Sequence, residues 1–365
     1  MARCGPGDGA RHLAVLAREP RPAGGAAEGR ARDYADQVLR GAGFDVRREP
    51  FEYSTFPGRY ATPIGGALVA VTIACAAWLA VSRRRPDEAL ATLIAGTALV
   101  ATFARAMLGD AVLTLPIGRA SSENLVATRG VQGRPRVWLV AHLDSKSQPV
   151  PSIARVIGVV LLIVALVLAA GASVMQLAGG PGRTLWWAAL LFTVLGAPAV
   201  IASVVGARSN GAVDNASGVA AVLSAAASLR PDIRVGVLLP SAEELGLAGA
   251  RAWARGAPAG LALNCDGVDD EGEVTIMHRG RPPEELVRAL QGAAMAPLRV
   301  RRMPIGLLTD SVALADRGWH AVTVSRGSPA TLRRVHTSAD SLTSLRGDGI
   351  DEVANLLART AEGLA

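Results

Sequence analysis

Residues 136–145 read RVWLVAHLDS, an apolar run that passes directly into a histidine and an aspartate. A short apolar run of this kind, ended by polar residues, predicts a buried β-strand. Three further runs share the pattern, namely IRVGVLLP (233–240), LALNCDG (261–267) and HAVTVSRG (320–327). We therefore expect four buried strands whose carboxyl ends carry polar side chains.

Helical patterns alternate with these strands. They are GVAAVLSAAASL (218–229), EELVRALQGAA (284–294) and a last helix from Asp348 to Leu364. Strands that alternate with helices favour a largely parallel sheet, because parallel neighbours need a crossover between them. The sequence predicts an α/β fold with a mixed, mostly parallel central sheet and helices on both faces.

Seven candidate site residues lie at the strand ends or before a helix. The candidate metal ligands are His142, Asp214, Glu244, Asp266 and His336, and Asp144 and Glu243 stand beside them. Ligand sites in open α/β sheets gather beyond the carboxyl ends of the strands, so we expect these side chains to meet. Two imidazoles and three carboxylates suit zinc. Glu243 adjoins a ligand and is free for acid–base chemistry, whereas Asp144 is placed to orient the imidazole of His142.

The helix after Asp214 needs a residue that caps its first turn. Asn215 and Ser217 are both suited to this position. The three cysteines, Cys4, Cys75 and Cys265, are far apart and form no CxxC pair. We therefore expect neither a thiolate zinc site nor a disulfide framework.

Four apolar stretches interrupt the α/β pattern. They run from about Thr62 to Val81, Ala89 to Met107, Val156 to Ala178 and Thr184 to Val205. Each is about 20 residues long, which is enough to cross a hydrocarbon core of about 30 Å. The connections SRRRPDE and GGPGR are short. We expect two transmembrane helical hairpins that insert into the lipid bilayer.

The net charge of +7 comes almost wholly from arginine, because Lys146 is the only lysine. The arginines are scattered and have no aromatic residues interleaved with them, which argues against a nucleic-acid partner. Attraction to lipid headgroups agrees better with the apolar stretches.

The polar motifs resemble those of peptidase family M28, the co-catalytic zinc aminopeptidases. They stand here as AHLDS (141–145), GAVDNASG (211–218), SAEELGLAGA (241–250), NCDG (264–267) and HTSADSL (336–342). One motif alone would be weak evidence, but five in the order of the family are specific. Outside the apolar stretches, the resemblance extends over nearly the whole chain.

The resemblance implies a site with two Zn²⁺ ions. His142 and Asp266 would hold one ion, Glu244 and His336 the other, and Asp214 would bridge the two. It also implies a cis peptide bond directly after the bridging aspartate.

The resemblance further implies a reaction, the hydrolysis of an N-terminal peptide bond. Glu243 would act as general base toward a water activated by the metals. A peptide is thus the expected substrate, while the side chain it prefers and exopeptidase versus dipeptidase action are left open.

The apolar hairpins split the expected peptidase domain. Residues 1–60, 110–150 and 208–365 should form one zinc peptidase domain, with hairpins at 61–109 and 151–207. His142 and Asp214 are 72 positions apart (214 − 142), and removal of residues 149–207 reduces this separation to 13. Each hairpin crosses the membrane an even number of times, so all ligands stay on one side.

Four positions near the motifs carry a weaker signal. Val335 stands where some family members place a tyrosine that assists the reaction, which puts efficiency and substrate type in question. Arg333 and Arg334 could contact a substrate carboxylate or be solvated loop charges. Asp310 resembles a family position near the site, and it could equally cap the following helix.

Three functions other than a peptidase would place different demands on the sequence. A catalytically inactive membrane scaffold would not need the complete set of ligands. A single-zinc enzyme of the glutaminyl cyclase type would not need both His142 and Asp266. A transporter would need polar residues in its membrane segments, and here Arg105 is almost alone.

The sequence gives limited information on the side of the membrane that the catalytic domain occupies. Residues from Met1 to Arg11 contain no apolar core of a signal peptide. Arginines at the hairpin tips nearly balance those on the domain side. We expect an integral membrane protein with the catalytic domain in the cytoplasm, and make no prediction of its oligomeric state.

Overall fold

The structure is a computed structural model of the 365-residue chain, and it describes residues 5, 7–129, 133–304 and 306–365. Cys4, one of the three cysteines considered above, lies outside the described residues. The chain forms two compact units, each assembled from separate segments. The described residues of the first unit lie within Met1–Thr55, Val112–Ser147 and Gly206–Ala365, and those of the second within Phe56–Ala111 and Gln148–Val205.

An eight-stranded sheet forms the centre of the first unit. Its strands are β1 (Asp45–Ser54), β2 (Arg119–Arg129), β3 (Val137–Val140), β4 (Val235–Leu239), β5 (Leu261–Val268), β6 (Glu273–His278), β7 (Arg299–Arg302) and β8 (His320–Gly327). Their spatial order is β1-β2-β4-β3-β5-β8-β6-β7. The inner strands β4, β3, β5 and β8 are parallel, whereas β1 pairs antiparallel with β2, β2 with β4, and β6 with β8. The predicted mixed, mostly parallel sheet is confirmed.

Thirteen α-helices accompany the sheet and its insertions among the described residues. They are α1 (Asp8–Leu16), α2 (Ala26–Gly41), α3 (Phe56–Ala77), α4 (Pro86–Met107), α5 (Ala111–Thr114), α6 (Ser152–Leu177), α7 (Arg183–Ile201), α8 (Gly218–Ser228), α9 (Ala248–Ala254), α10 (Glu284–Ala293), α11 (Asp310–Ala315), α12 (Thr331–Arg334) and α13 (Asp348–Leu364). The last helix has the predicted bounds.

Strand β3 shows why the inner strands are apolar throughout. Val137 and Leu139 pack into a core with residues of α1, α2, α8, α10 and α13. Trp138 and Val140 pack on the opposite face, with residues of α9 and α11. Successive side chains of a strand point to opposite faces, so in a strand that is covered on both faces every side chain is buried and apolar.

Strands β6 and β7 and helix α9 were not predicted. The sequence of β7 is RVRR, and its side chains are mostly exposed, so no apolar run or alternation marks it. This strand takes its place by pairing with β6, which in turn pairs with β8. Pairing with a neighbour, rather than local pattern, makes these residues a strand.

The second unit consists of four long apolar helices in two hairpins. The four segments long and apolar enough to cross a membrane are Phe56–Ser82 (α3 with a π-helical last turn), Pro86–Met107, Ser152–Leu177 and Arg183–Ile201. Alanines dominate the buried contacts between the helices, and α6 and α7 approach closely at two glycines. A Cβ atom on Gly158 would lie 2.7 Å from the carbonyl oxygen of Gly196.

The outer surface of this unit is apolar. Val167 of α6 and Val194 of α7 are 66% and 68% exposed. Large apolar side chains exposed along whole helices are unusual in a soluble protein and normal in a lipid-facing surface.

Candidate metal centre

The four parallel inner strands bring the predicted site residues together. His142 follows β3, and Glu243 and Glu244 follow β4. Asp266 lies within the last residues of β5, and His336 comes after β8 and α12. Parallel strands end at the same edge of a sheet, so residues distant in sequence meet there.

His142, Asp214 and Asp266 form one group of possible ligands. His142 Nε2 lies 3.2 Å from Asp214 Oδ1 and 3.8 Å from Asp266 Oδ1. One donor atom from each of the three residues lies within 4.8 Å of the other two. The imidazole is fully buried, while the two carboxylates are slightly exposed, so the group opens to solvent on its carboxylate side.

Asp214, Glu244 and His336 form the second group within the same 4.8 Å limit. His336 Nε2 lies 2.8 Å from Asp214 Oδ2 and 3.4 Å from Glu244 Oε1. Asp214 is the member common to both groups, and its two oxygens face different imidazoles.

Two buried polar atoms test whether these residues fit a metal. His142 Nε2 and Glu244 Oε1 have no hydrogen-bond partner among the described residues. Buried polar atoms are normally paired, and the described residues supply no partner for these two. A bound cation would pair with both. Imidazole nitrogens and carboxylate oxygens without thiolates are a zinc-type donor set. The residues therefore fit zinc.

The loop that carries Asp214 is held by a second aspartate. The Asp214–Asn215 peptide bond is cis, as the resemblance implied. The carboxylate of Asp340 accepts hydrogen bonds from the backbone N–H groups of Val213 (2.7 Å) and Asp214 (3.1 Å). Burial raises the pKa of Asp340 to about 6. The sequence analysis missed this role, although Asp340 lies within the HTSADSL motif.

Asn215 ties the same loop to β5 and to the following helix. Its Oδ1 accepts hydrogen bonds from the N–H groups of Gly218 (3.1 Å) and Gly267 (3.2 Å), and its Nδ2 donates to the carbonyl of Cys265 (2.9 Å). Of the two candidates for capping this helix, Asn215 makes the bond, whereas the Ser217 hydroxyl donates to the carbonyl of Val213.

Asp144 supports the site in two ways. Its backbone carbonyl accepts a hydrogen bond from His142 Nδ1 at 3.0 Å, which leaves Nε2 directed at the ligand group. Its carboxylate accepts hydrogen bonds from the backbone N–H groups of Glu243 (3.1 Å) and Glu244 (3.2 Å). The carboxylate thus orients the Glu243–Glu244 turn more directly than it orients the imidazole, from which it lies 3.5 Å away.

Glu243 lies beside the first group without belonging to it. Its Oε2 is 4.0 Å from His142 Nε2, and burial raises the pKa of its carboxyl well above the ordinary range. The preceding residue, Ala242, has φ +56°, a left-handed conformation that costs a non-glycine residue about 1–3 kcal/mol and is typical of functional sites.

Glu244 has a cationic neighbour that the sequence analysis did not foresee. The ammonium group of Lys146 contacts Glu244 Oε2. Burial is the largest single influence on the pKa of Glu244 and opposes ionisation, but Lys146 and His336 together outweigh it and lower the pKa of the carboxyl to about 2. Glu244 is accordingly a carboxylate with one oxygen on Lys146 and the other turned toward His336.

Asp310 is buried behind the site and does not cap its helix. The N-cap residue of α11 is Thr309, and no side chain caps the helix. Both carboxyl oxygens of Asp310 lack a hydrogen-bond partner among the described residues. Burial raises its pKa to about 8.

Arg21 joins the loops that carry His142 and Asp214. Its guanidinium donates hydrogen bonds to the carbonyls of Leu143 (2.9 Å) and Gly211 (3.1 Å), and also to those of Leu16 and Asn210. It is almost completely buried, and burial lowers its pKa to about 10.

The segment before His336 contributes no donor of its own to the ligand groups. Val335 packs against the main core. Arg334 forms an ion pair with Asp269 and donates to the carbonyl of Ser344, so it stabilises the loop. Arg333 is exposed.

Known proteins with this fold include zinc enzymes. An aminopeptidase from Aneurinibacillus sp. strain AM-1 aligns over 100% of this chain and 94% of its own, with a TM-score of 0.58 and 14% identity. A zinc aminopeptidase from Bacillus subtilis aligns over 100% and 96%, with a TM-score of 0.58 and 13% identity. The glutaminyl cyclase of Porphyromonas gingivalis aligns over 98% of both chains, with a TM-score of 0.57 and 14% identity.

At this level of identity, the likeness concerns the fold. No curated protein matches the sequence. A model of peptidase family M28, however, matches residues 124–361, which is 238 residues (361 − 124 + 1) and well over half of the chain. The matched range contains both ligand groups and Glu243, and the chain belongs to peptidase family M28.

Proposed function

We propose that the protein is a two-zinc aminopeptidase that hydrolyses the N-terminal bond of peptides. The observation that carries the proposal is the pair of ligand groups sharing Asp214, with the buried carboxyl of Glu243 beside them. Membership of a peptidase family agrees with this chemistry.

Each residue has a defined part in holding the metals. His142 and Asp266 would hold one zinc ion, Glu244 and His336 the other, and Asp214 both. Zinc bound there would lower the pKa of a water molecule toward about 7 and polarise the scissile carbonyl.

Glu243 is placed to move the proton of the reaction. It accepts a proton from the attacking water and donates it to the leaving amine nitrogen as the C–N bond breaks. Burial raises the pKa of its carboxyl, which favours the uptake of a proton from the attacking water. The bonds from Glu243 N–H and Glu244 N–H to Asp144 fix the turn on which this carboxyl stands.

A single-zinc enzyme of the glutaminyl cyclase type is the second candidate, because such cyclases share the fold. The complete group of His142, Asp214 and Asp266 favours two metals. A catalytically inactive scaffold would bind no zinc, so the metal content discriminates among all three.

The second unit supports a location in the membrane. Its four helices are long and apolar enough to span a bilayer, and their exposed side chains are apolar. We propose that the unit is embedded in lipid, that the catalytic unit faces the cytoplasm, and that the partners are peptide and lipid rather than nucleic acid.

The test combines metal content with hydrolysis by protein purified in detergent. We expect two zinc ions per chain by elemental analysis and release of the fluorophore from aminoacyl substrates. Glu243→Gln should retain the zinc and lose activity about 10²–10⁴-fold. Glu284→Gln, which removes a surface carboxylate that is 81% exposed, serves as the control. One zinc per chain would favour the cyclase, and equal activity of Glu243→Gln and wild type would refute the base.

A further inference from the structure

Lys146 is the only lysine of the chain, and its backbone is fixed on both sides. The N–H of Ser145 donates to the carbonyl of Arg21 at 2.8 Å. Ser147 and Gly206 exchange two backbone hydrogen bonds, of 2.9 and 2.7 Å. A residue held between two such anchors presents its side chain in one direction.

That direction is into the metal centre. The ammonium contacts Glu244 Oε2, and its neighbouring charges include Glu243 and Asp214. The side chain of Lys146 is 15% exposed and that of Glu244 only 3%, so the lysine is the more accessible partner of this ion pair. It therefore stands near the general base, a proposed metal ligand and the shared carboxylate.

An ammonium group has three N–H donors, and Glu244 engages one side of it. The segment around His336 offers the reacting carbonyl no competing cation. Val335 is aliphatic and packs on the core, Arg334 is bound to Asp269, and Arg333 is exposed.

We propose that Lys146 is a catalytic residue whose ammonium donates a hydrogen bond to the carbonyl oxygen of the scissile bond and stabilises the oxyanion. This inference rests on the proposed peptidase function. The oxygen of water adds to the carbonyl carbon, one water proton passes to Glu243, and the carbonyl π electrons move to its oxygen, which faces Lys146. When the carbonyl re-forms, the C–N bond breaks and the amine nitrogen takes the proton from Glu243. Lys146 keeps its own proton throughout.

A purely positioning role is the alternative, in which Lys146 only holds Glu244 in place. Lys146→Gln separates the two roles, because the amide can still donate to Glu244 but carries no charge. Lys146→Arg retains the charge. Arg288→Met removes a cation of α10 that is 77% exposed and has no assigned part in the site, and it is the matched control.

Four quantities are measured for each variant: zinc per chain, kcat, KM, and the affinity for an α-aminophosphonic acid whose tetrahedral anion resembles the oxyanion. For Lys146→Gln we expect two zinc ions, a KM close to that of wild type, and kcat lower by about 10²–10³-fold, the loss typical for one oxyanion donor. The phosphonate affinity should fall with kcat, and Lys146→Arg should lie between the two proteins.

Loss of zinc in Lys146→Gln, with activity restored by excess zinc, would overturn the proposal in favour of positioning. An unchanged kcat would overturn it as well. Failure of the peptidase proposal looks different, since wild type would then hydrolyse no aminoacyl substrate. In that case, weaker phosphonate binding by zinc-loaded Lys146→Gln would still support an anion-stabilising Lys146, and unchanged binding would refute it.

Discussion

His336 Nε2 lies 2.8 Å from Asp214 Oδ2, which is not the carboxylate oxygen that faces His142. The other oxygen, Asp214 Oδ1, lies 3.2 Å from His142 Nε2. A single carboxylate therefore stands between two imidazoles, one in the segment after β3 and the other in the segment after α12. Any cation bound to either group must share Asp214, so the two groups cannot be independent.

This sharing predicts different losses of zinc from different variants. Asp214→Asn removes a charge from both groups and should lower the zinc content from two per chain toward zero. Asp266→Asn and Glu244→Gln each affect one group and should leave one ion. Elemental analysis after dialysis against a weak chelator measures all three. Retention of two ions by Asp214→Asn would contradict the shared site.

Asp340 should matter for zinc although it lies in neither ligand group. Its two carboxylate oxygens accept hydrogen bonds from the backbone N–H groups of Val213 and Asp214. In Asp340→Asn one oxygen is replaced by an NH₂ group, so only one of these bonds can form. The Asp214 loop should shift, and zinc affinity should fall about 10–100-fold, as for other residues that orient ligands. Competition with a fluorescent chelator measures it. Asp232→Asn, at a side chain that is 67% exposed, should leave the affinity unchanged.

Glu28 should make stability depend on pH. Its carboxyl is completely buried, forms an ion pair with Arg32 at 2.9 Å and accepts a hydrogen bond from the Ser122 hydroxyl. Burial raises the pKa of this carboxyl from 4.5 to about 7. Between these two pH values the folded chain keeps a proton that the unfolded chain releases. The contribution of protonated Glu28 to the free energy of unfolding is therefore complete below about pH 4.5 and is lost as the pH rises through 7.

Glu28→Gln has no proton to lose, so the slope of Tm against pH between 4.5 and 7 should become flatter. Metal-free protein in detergent is the appropriate sample, because zinc binding has its own pH dependence. Equal slopes for the variant and wild type would show that Glu28 does not retain its proton on folding.

Gly249 should tolerate no side chain. A Cβ atom there would lie 2.3 Å from Asn124 Oδ1 and 2.4 Å from the carbonyl of Ser241, next to the turn that carries Glu243. We expect Gly249→Ala to cost about 1–3 kcal/mol of stability through overpacking. In Gly256→Ala, the new Cβ meets no atom within 4 Å, so this control should be neutral or slightly stabilising. Thermal unfolding of both variants is the measurement.

The strands and the site were predictable to different degrees. Strand β3 could be recognised because burial on both faces makes it apolar throughout, and His142 lies two positions after its last residue. Strand β7 could not, since its exposed RVRR becomes a strand only through pairing with β6.

The contacts of the site depend on long-range geometry in the same way. The pairing of Lys146 with Glu244 joins residues 98 positions apart (244 − 146) and leaves no local pattern. Asp310 has the sequence context of a cap, yet Thr309 takes that position and Asp310 lies buried beside the centre. Tertiary packing, and not the local sequence, decides that Lys146 meets Glu244 and that Asp310 is buried instead of capping its helix.

The four proposed membrane crossings predict the sides on which the loops and the chain ends are found. An even number of crossings in each hairpin returns the chain to the side it left, so Thr55 and Ala365 should share one side. Arg84 and Gly180, which lie between the helices of the two hairpins, should then face the other side. Reporter fusions at Arg84, Gly180 and Ala365 distinguish the two sides, and we expect the Ala365 fusion to report the cytoplasm. A fusion at Gly180 on the same side as Ala365 would show that α6 and α7 do not both cross. If the Arg84 fusion also lay on the side of Ala365, the protein would bind the membrane surface instead of spanning it.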